Sequence, residues 1–444
     1  MKVEKKNLSL ALACVLVGIL VGAYVGYAAS PSNTITISGG IYPGAPSYTI
    51  YKVGSTYYAK DQNGLNEFSG TSSSTVINNA FNALTSGRTW QETIVLEGTI
   101  SLDDTIEMPS YSRLIINGRL TMSDGTNEHM IVNDDQTAGN TAIDITGGLL
   151  DHGSQTGGII IYLKRAVHVA IKDCKFDNAA WDSIRIEQCG DVQITGNYFT
   201  DSGAYAINAI DHAEYGAVLE FGGIIAHNTF LENFNNILIQ GSGSYNVDWI
   251  IEGNWIYHGQ WGIYLLSNGL GSVVADVYIW NNYIDYPGEY GIYANYANDG
   301  CIAHVLIQNN KIEEARKHSI FIRRMGQAWM ITNNMISDTG HLADTTYDGI
   351  HVESVVTGES GLSDYQSLNV QGNEVRCKHL TSYGTNKRTR YGLNILPTLK
   401  NTWIMGNYFE GGLAAYNFTQ GSTCIFENNV NGTISGGVVT YAVP

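Results

Sequence analysis

The segments ITGNYF (194–199), IAHNTF (225–230), IEGNWI (251–256) and WNNYI (280–284) repeat one phrase, a short extended run, an Asn, then an apolar or aromatic pair. It continues in QNNKI (308–312), TNNMI (332–336), QGNEV (371–375), MGNYF (405–409) and ENNV (427–430). The Asn positions are Asn197, Asn228, Asn254, Asn282, Asn310, Asn334, Asn373, Asn407 and Asn429, at spacings of 31, 26, 28, 28, 24, 39, 34 and 22 residues. Cys174, in KDCKF, takes the same slot 23 residues before Asn197. Periods of this length are the mark of stacked repeats.

About ten residues after most of these Asn positions, a small residue leads into a second apolar strand. The strands centre on Ile184, Ile207, Ile237, Ile263, Ile292, Ile320, Ile350 and Leu393. Gly, Asn, Asp and Ser between the runs supply tight turns, and no helical period interrupts them. Short strands, about three to a turn without crossover helices, stack as coils of a parallel β-helix. An Asn at a buried turn satisfies backbone groups and bonds to the Asn of the next coil, so the recurrent Asn reads as a structural ladder. The 39- and 34-residue spacings then mark coils with extra loop.

The chain carries 24 Lys and Arg against 41 Asp and Glu, a net charge of −17. Such a surface argues against nucleic acid and anionic lipid as partners. With 50 Gly, 28 Tyr and only 7 Pro, it is a turn-dense all-β chain rather than a disordered one.

Residues 1–29 place Lys2, Lys5 and Lys6 before an apolar run from Leu8 to Ala29. The pattern fits a signal peptide or an uncleaved N-terminal membrane anchor, and both put the bulk of the chain outside the cytoplasm, extracellular or at the cell surface. Residues 30–46 read as a linker, 47–92 as N-terminal strands and a capping helix, and 93–444 as the β-helix. The helix is expected from Ser72 to Gly87, with Val76, Ile77, Ala80, Phe81 and Leu84 on one face, covering the open end of the stack. Beyond Cys14 there are five cysteines, an odd number without zinc spacing, so neither a full disulfide framework nor a zinc site is expected. Cys174 reads as a small buried hydrophobe.

These features together resemble right-handed parallel β-helix proteins of the pectate-lyase-like superfamily. The resemblance is carried by Tyr57-Tyr58-Ala59-Lys60-Asp61 with Gly64, Phe68-Ser69-Gly70-Thr71, Ile94-Val95-Leu96-Glu97-Gly98-Thr99 and the repeats, over residues 47–430. It implies an all-β, right-handed solenoid with an N-terminal capping helix. It leaves activity open, because the superfamily includes lyases, hydrolases, epimerases, phage tailspikes and proteins without known chemistry. Thr346-Tyr347-Asp348-Gly349-Ile350 is similar to the Asn-Thr-Asp-Gly-Ile segment of polygalacturonases, whose Asp helps activate water or protonate the leaving sugar oxygen. No His-Gly or Arg-Ile-Lys follows Asp348 here, as they do in the next coils of those enzymes.

Strand alternation turns the Ile set inward and the next residue outward, giving a stripe of Leu238, Tyr264, Tyr293 and Phe321 that leads to Arg323, His351 and Glu353. Asp348, His351, Glu353 and Arg323 are the candidate catalytic set. Tyr264, Tyr293, Phe321, His318 and Asn394 are the candidate substrate contacts, with sugar rings stacking on the aromatics. Two carboxylates suit a glycosidase, whereas a lyase needs a base near a sugar C5 proton and cationic or Ca²⁺ stabilisation. No cofactor is certain, and Ca²⁺ stays open. A basic loop with Lys378, Lys387, Arg388 and Arg390 would make an anion-binding lip, and Asn417 and Asn431 head glycosylation sequons. The expected function is that of an exported cell-surface β-helix protein acting on or binding polysaccharide, lyase- or hydrolase-like. The alternative is a non-catalytic surface, adhesion or structural protein. A homo-oligomer is the third option, and it requires a flat apolar face elsewhere on the solenoid.

Overall fold

The protein is represented by a computed structural model, which describes residues 46–429 except 213, 216–217, 220–221, 244, 270, 298–299, 341, 344, 355–366, 377–388, 398, 400, 412 and 419–423, and also 434–435. The expected N-terminal signal or anchor, most of the linker, two long loops with Lys378, Lys387 and Arg388, and Asn431 lie outside the described residues.

The solenoid follows from the repeat. One coil consists of strands Gly223–Ala226, Thr229–Leu231 and Asn235–Gly241, and the next of Tyr245–Glu252, Trp255–Tyr257 and Trp261–Asn268. Each strand pairs in parallel with its equivalent one coil away: Ile225 with Ile251, Phe230 with Ile256, and Ile237 with Ile263. Three parallel sheets, called first, second and third in that order, therefore run along the stack. Their inner faces meet in one continuous apolar core in which Ile225, Phe230, Ile251, Ile256 and Ile263 are fully buried. In the second sheet Phe176, Phe199 and Phe230 stack at 4.8 and 4.9 Å between ring centres, the spacing of the strands themselves.

The Asn column sits at the corner between the first and second sheets. The backbone N–H and the Nδ2 of Asn254 both donate to Oδ1 of Asn282, at 3.1 and 2.9 Å, while Nδ2 also donates to the Ile225 carbonyl at 2.9 Å. The same set of bonds recurs from Asn197 down to Asn407, ending on Asn429. Cys174 joins at the top, buried, its N–H donating to Asn197 Oδ1 at 2.9 Å. The residue before each ladder position is left-handed: Asp173, Gly196, His227, Gly253, Asn281, Asn309, Asn333, Gly372, Gly406 and Asn428, all with φ between 52° and 71°. Gly, Asn, Asp and His tolerate that conformation best, so the recurrent GN, HN and NN pairs are a turn requirement as much as a ladder requirement.

At the N-terminus, Tyr48–Val53, Thr56–Asp61 and Asn66–Gly70 form an antiparallel meander, and its first strand pairs in parallel with Glu92–Leu102. The helix, α1 (Ser73–Asn82), is N-capped by Ser72 and buries Val76, Ile77, Ala80 and Phe81. It is shorter than the expected span ending at Gly87. The Thr85 N–H and hydroxyl turn to the Glu92 carboxylate instead of extending the helix, although Leu84 still reaches the core. Ser73 and Ser74 bond to Asp103 and the Asp104 carbonyl, which ties the helix to the first coils.

Candidate functional site

Outside the core, the third sheet carries two side-by-side columns. One holds the residues just after the inward Ile set: Arg185, Asn208, Leu238, Tyr264, Tyr293, Phe321, His351 and Asn394, aligned strand to strand. The other holds residues entering the same strands: Asp182, Tyr205, Asn235, Trp261, Tyr290, His318, Asp348 and Tyr391. Tyr264 stacks on Tyr293 at 4.8 Å and Tyr293 on Phe321 at 5.2 Å, while Trp261 and Tyr290 pack against them from the second column. The stripe does point away from the core, but it is not the open aromatic face expected from strand alternation. Tyr264, Tyr293 and Phe321 are only 6–8% exposed, because the entering residues cover them. Tyr205, Trp261 and Tyr290 are themselves half-buried.

A polar cluster ends the stripe. Asp348 is fully buried and accepts from Arg390 Nε and Nη2 at 2.8 and 2.7 Å, from Asn394 Nδ2 at 2.8 Å, from the Tyr391 N–H at 3.2 Å, and from His351 Nδ1 at 2.6 Å. Burial alone would raise its pKa, but these donors and the nearby His318 outweigh it and hold the carboxyl at about 2. An ionised carboxylate only accepts, so His351 directs an Nδ1–H at Asp348 and has Nε2 as its other ring nitrogen. His318 lies 4.5 Å from His351 between ring centres and accepts the Asp348 N–H through Nδ1 at 2.9 Å. Burial, then the neighbouring His351, pushes His318 down to about 3, so it is neutral at pH 7.

The sequence-predicted residues thus divide into two groups. Asp348, His351, His318 and Asn394 converge, together with Arg390. Arg323 and Glu353 lie just past the ends of strands Ile320–Ile322 and Ile350–Val352, exposed and 3.8 Å apart. Arg323 also bonds to Tyr293, whose pKa burial pushes up to about 12. Arg324 lies over the Tyr296 ring at 4.0 Å. Ligand atoms of His318, Asp348 and His351 fall within 4.8 Å of one another. This set does not suit Ca²⁺, which takes six to eight oxygens, since it offers one carboxylate already engaged in a bidentate Arg390 pair. Asn417 donates Nδ2 to Asn394 Oδ1 at 2.7 Å, so the amide expected as a glycan acceptor is engaged in the stack.

A trough of about 820 Å³ borders the entering column at the turns between the second and third sheets. It crosses five successive coils, with Asp201, Glu232, His258, Glu289 and Arg316 along it and Phe234, 59% exposed, standing at its wall. Glu289 accepts from Trp261 Nε1 at 3.3 Å and pairs with Lys317 at 2.6 Å, linking the trough to the aromatic column. Gly259 keeps the floor open. Its φ is +88°, and a Cβ there would lie 2.4 Å from Asn236 Nδ2. Sequence reading missed these residues because they fall in turns, where no strand period marks them. Their signal was positional: Asp201, Glu232 and His258 each follow a three-residue strand of the second sheet and take left-handed φ.

Residues 132–299 match the family model described as a right handed beta helix region. No curated protein matches the chain. Among solved structures, the tailspike protein of E. coli bacteriophage HK620 in complex with a pentasaccharide is 15% identical, with a TM-score of 0.58 over 81% of this chain and 67% of that one. A double mutant of that tailspike, replaced at one Asp and one Glu and also in complex with pentasaccharide, is 15% identical, with a TM-score of 0.59 over 82% of this chain and 68% of that one. At such identity the likeness speaks for the fold. Parallel coils of three strands, the family match and these similar solenoids together establish that the chain is a right-handed parallel β-helix protein.

Proposed function

We propose that the protein binds polysaccharide lengthwise in the trough from Asp201 to Arg316, with the Asp348–His351 pair one coil beyond its end supplying acid/base chemistry. The observation that carries this reading is the trough itself. It crosses five coils and carries an exposed Phe, and Glu289 on its lining bonds to Trp261 of the adjoining column. At ~4.8 Å per coil its length is about 20 Å, the scale of a short oligosaccharide. Its lining is mainly polar, with Asn233, Gln260, His258 and carboxylates beside one exposed Phe, a mix that suits hydroxyl-rich sugar rims and one apolar ring face. Three carboxylates against one guanidinium favour neutral or amino sugars over uronates. The tailspike complexes support the reading by showing a similar solenoid with a pentasaccharide bound.

In this proposal Tyr264, Tyr293 and Phe321 hold the solvent-facing rings in place from behind. His318 and Asn394 fix the Asp348–His351 pair, and His351 Nε2 takes a proton from water or sugar. Arg323 and Glu353 line the exit on the solvent side. The apolar run at 8–29 supports an exported, cell-surface location, which fractionation of cells with an antibody to the folded region would test. On neutral or amino sugars the chemistry is hydrolase-like, because the elimination of a lyase needs the carboxylate of a uronate next to the C5 proton. The second reading is a binding surface without turnover.

A panel of neutral, amino-sugar and uronate polysaccharides tests this, with binding, reducing ends and unsaturated products followed together. Phe234→Ala is expected to weaken binding about tenfold, equivalent to ~1.4 kcal/mol. Asp348→Asn is expected to leave binding intact and abolish turnover. Absence of binding across the panel would remove the proposal, and binding without product would favour the second reading.

A further inference from the structure

The bonding pattern around Asp348 occurs a second time, six coils earlier on the outer face of the third sheet. Asp182-Ser-Ile-Arg185 and Tyr205-Ala-Ile-Asn208, in successive coils, match Asp348-Gly-Ile-His351 and Tyr391-Gly-Leu-Asn394. Asp182 is fully buried. Its Oδ2 accepts from Arg185 Nε at 2.7 Å and from Asn208 Nδ2 at 3.0 Å, and its Oδ1 accepts from the Tyr205 N–H at 3.0 Å. Asp348 receives His351, Asn394 and the Tyr391 N–H at the same three places.

The two clusters differ in what they leave unsatisfied. At Asp348, both Nε and Nη2 of Arg390 are spent on the carboxylate, and Asn394 Oδ1 accepts from Asn417. At Asp182 only Nε is spent. Arg185 Nη1 and Nη2 have no hydrogen-bond partner among the described residues, in a side chain that is 28% exposed. Asn208 Oδ1 is buried and also without a partner, because Leu238 stands where the other cluster has Asn417 and offers no donor. Glu187, two residues along the strand, is taken up by Lys164 and the Tyr162 hydroxyl at 2.7 and 2.9 Å, so it does not compete for the guanidinium.

We propose that Arg185, Asn208 and Trp181 form a subsite for a neutral sugar ring at the N-terminal mouth of the trough, opposite the Asp348–His351 end. The assignment rests on the glycan binding proposed for the trough. Trp181, 48% exposed, precedes Asp182 in the turn one coil before Asp201, where the trough begins, just as Asp348 stands one coil beyond Arg316. The unsatisfied groups select the ligand. A guanidinium held at Nε presents its two Nη groups as a fork for two acceptors, and the amide oxygen needs a donor. An ionised carboxylate only accepts and would leave Asn208 Oδ1 bare, whereas two adjacent hydroxyls accept from the fork and donate to the amide. Asp182 already neutralises Arg185, so little net charge is left to draw an anion. The indole of Trp181 supplies a flat apolar face for the ring. Asn208 Oδ1 is covered, so a ring seats there only as the side chains above it part. At ~4.8 Å per coil the two clusters are about 29 Å apart, so one glycan chain lying in the trough reaches from one to the other.

The test measures binding of long manno-, xylo- and chito-oligosaccharides, with oligogalacturonides as the anionic arm, to the full chain and to Arg185→Lys and Trp181→Ala. Arg185→Lys keeps a cation beside Asp182 but loses the fork. Each variant is expected to weaken binding of the neutral oligosaccharide that the wild type prefers by about tenfold, with an unchanged thermal melt. Unchanged affinity in either variant, with wild-type binding intact, overturns the subsite and leaves the trough reading standing. A wild type that prefers oligogalacturonides and loses them in Arg185→Lys overturns the hydroxyl assignment in favour of a carboxylate. A wild type that binds none of these glycans removes the trough reading and the subsite with it. If Arg185→Lys shifts the melt, Trp181→Ala decides alone, since an exposed side chain is less coupled to the fold.

Discussion

Replacing Asn282 by Ala is expected to lower stability by about 4 kcal/mol and to split the unfolding transition, read by denaturant melts with a far-UV and a tryptophan signal. The side chain makes five hydrogen bonds. Its Oδ1 accepts from the Asn254 N–H and Nδ2 at 3.1 and 2.9 Å, and its Nδ2 donates to Asn310 Oδ1 at 3.0 Å and to the Ile251 and Trp280 carbonyls at 2.9 and 3.1 Å. Truncation strands the two Asn254 donors on one side and takes a donor from the two carbonyls on the other, while Asn310 Oδ1 keeps the Asn282 N–H at 3.0 Å. Each buried, unsatisfied group costs ~1–3 kcal/mol, partly relieved where a water enters the cavity. The position is 1% exposed, so solvent does not relieve the loss without local opening. Stacked coils contact only their neighbours, so a weakened interface in mid-stack uncouples the coils above from those below and makes the melt biphasic. Asn282→Asp should be nearly as damaging, because the new oxygen faces Ile251 O and Asn310 Oδ1, both acceptors. A single transition shifted by less than 1 kcal/mol would show that the ladder is not what couples the coils.

The ladder was legible because its chemistry leaves a fixed trace at a fixed period: an acceptor and donor in one side chain, preceded by a residue that tolerates positive φ. The buried cluster was half legible. His351 and Asn394 came from strand alternation and Asp348 from its likeness to the polygalacturonase segment, but the expected cluster centred on Arg323, His351 and Glu353. Arg390, which completes the Asp348 site, read only as part of a charged loop, since nothing local distinguishes a guanidinium in water from one folded back on a carboxylate 42 residues away. Aromatic exposure was misread for a related reason. Alternation tells which face a side chain leaves from, whereas what covers Tyr264 and Tyr293 comes from turn residues Trp261 and Tyr290 folding over the same face. The same limit hid the trough, a gap between five turns that belongs to no one segment.

The largest response to solution conditions is expected on acidification: stability should fall steadily below pH 6.5, at up to about 1.4 kcal/mol per pH unit, and His318→Phe should flatten that slope by about one proton. The direction follows from two depressed values. His318 is held neutral in the fold down to about pH 3 but takes a proton near 6.5 when unfolded, so between these limits the unfolded chain binds the extra proton and is favoured. Asp348 is ionised in the fold down to about pH 2 and protonates nearer 3.8 when unfolded, adding a second loss of about 2 kcal/mol complete only below pH 2. Above pH 6.5 both contributions are fully present and stability should not depend on either group. The Phe substitution keeps a ring against Tyr290 and Phe321 but removes the acceptor of the Asp348 N–H, so a cost of about 1 kcal/mol at neutral pH accompanies the flatter slope. Thermal melts from pH 3 to pH 8 on the two proteins separate these effects, because the offset is constant with pH and the slope is not. Parallel pH profiles for wild type and variant would mean that His318 takes up its proton in the folded chain and contributes nothing to the acid loss of stability.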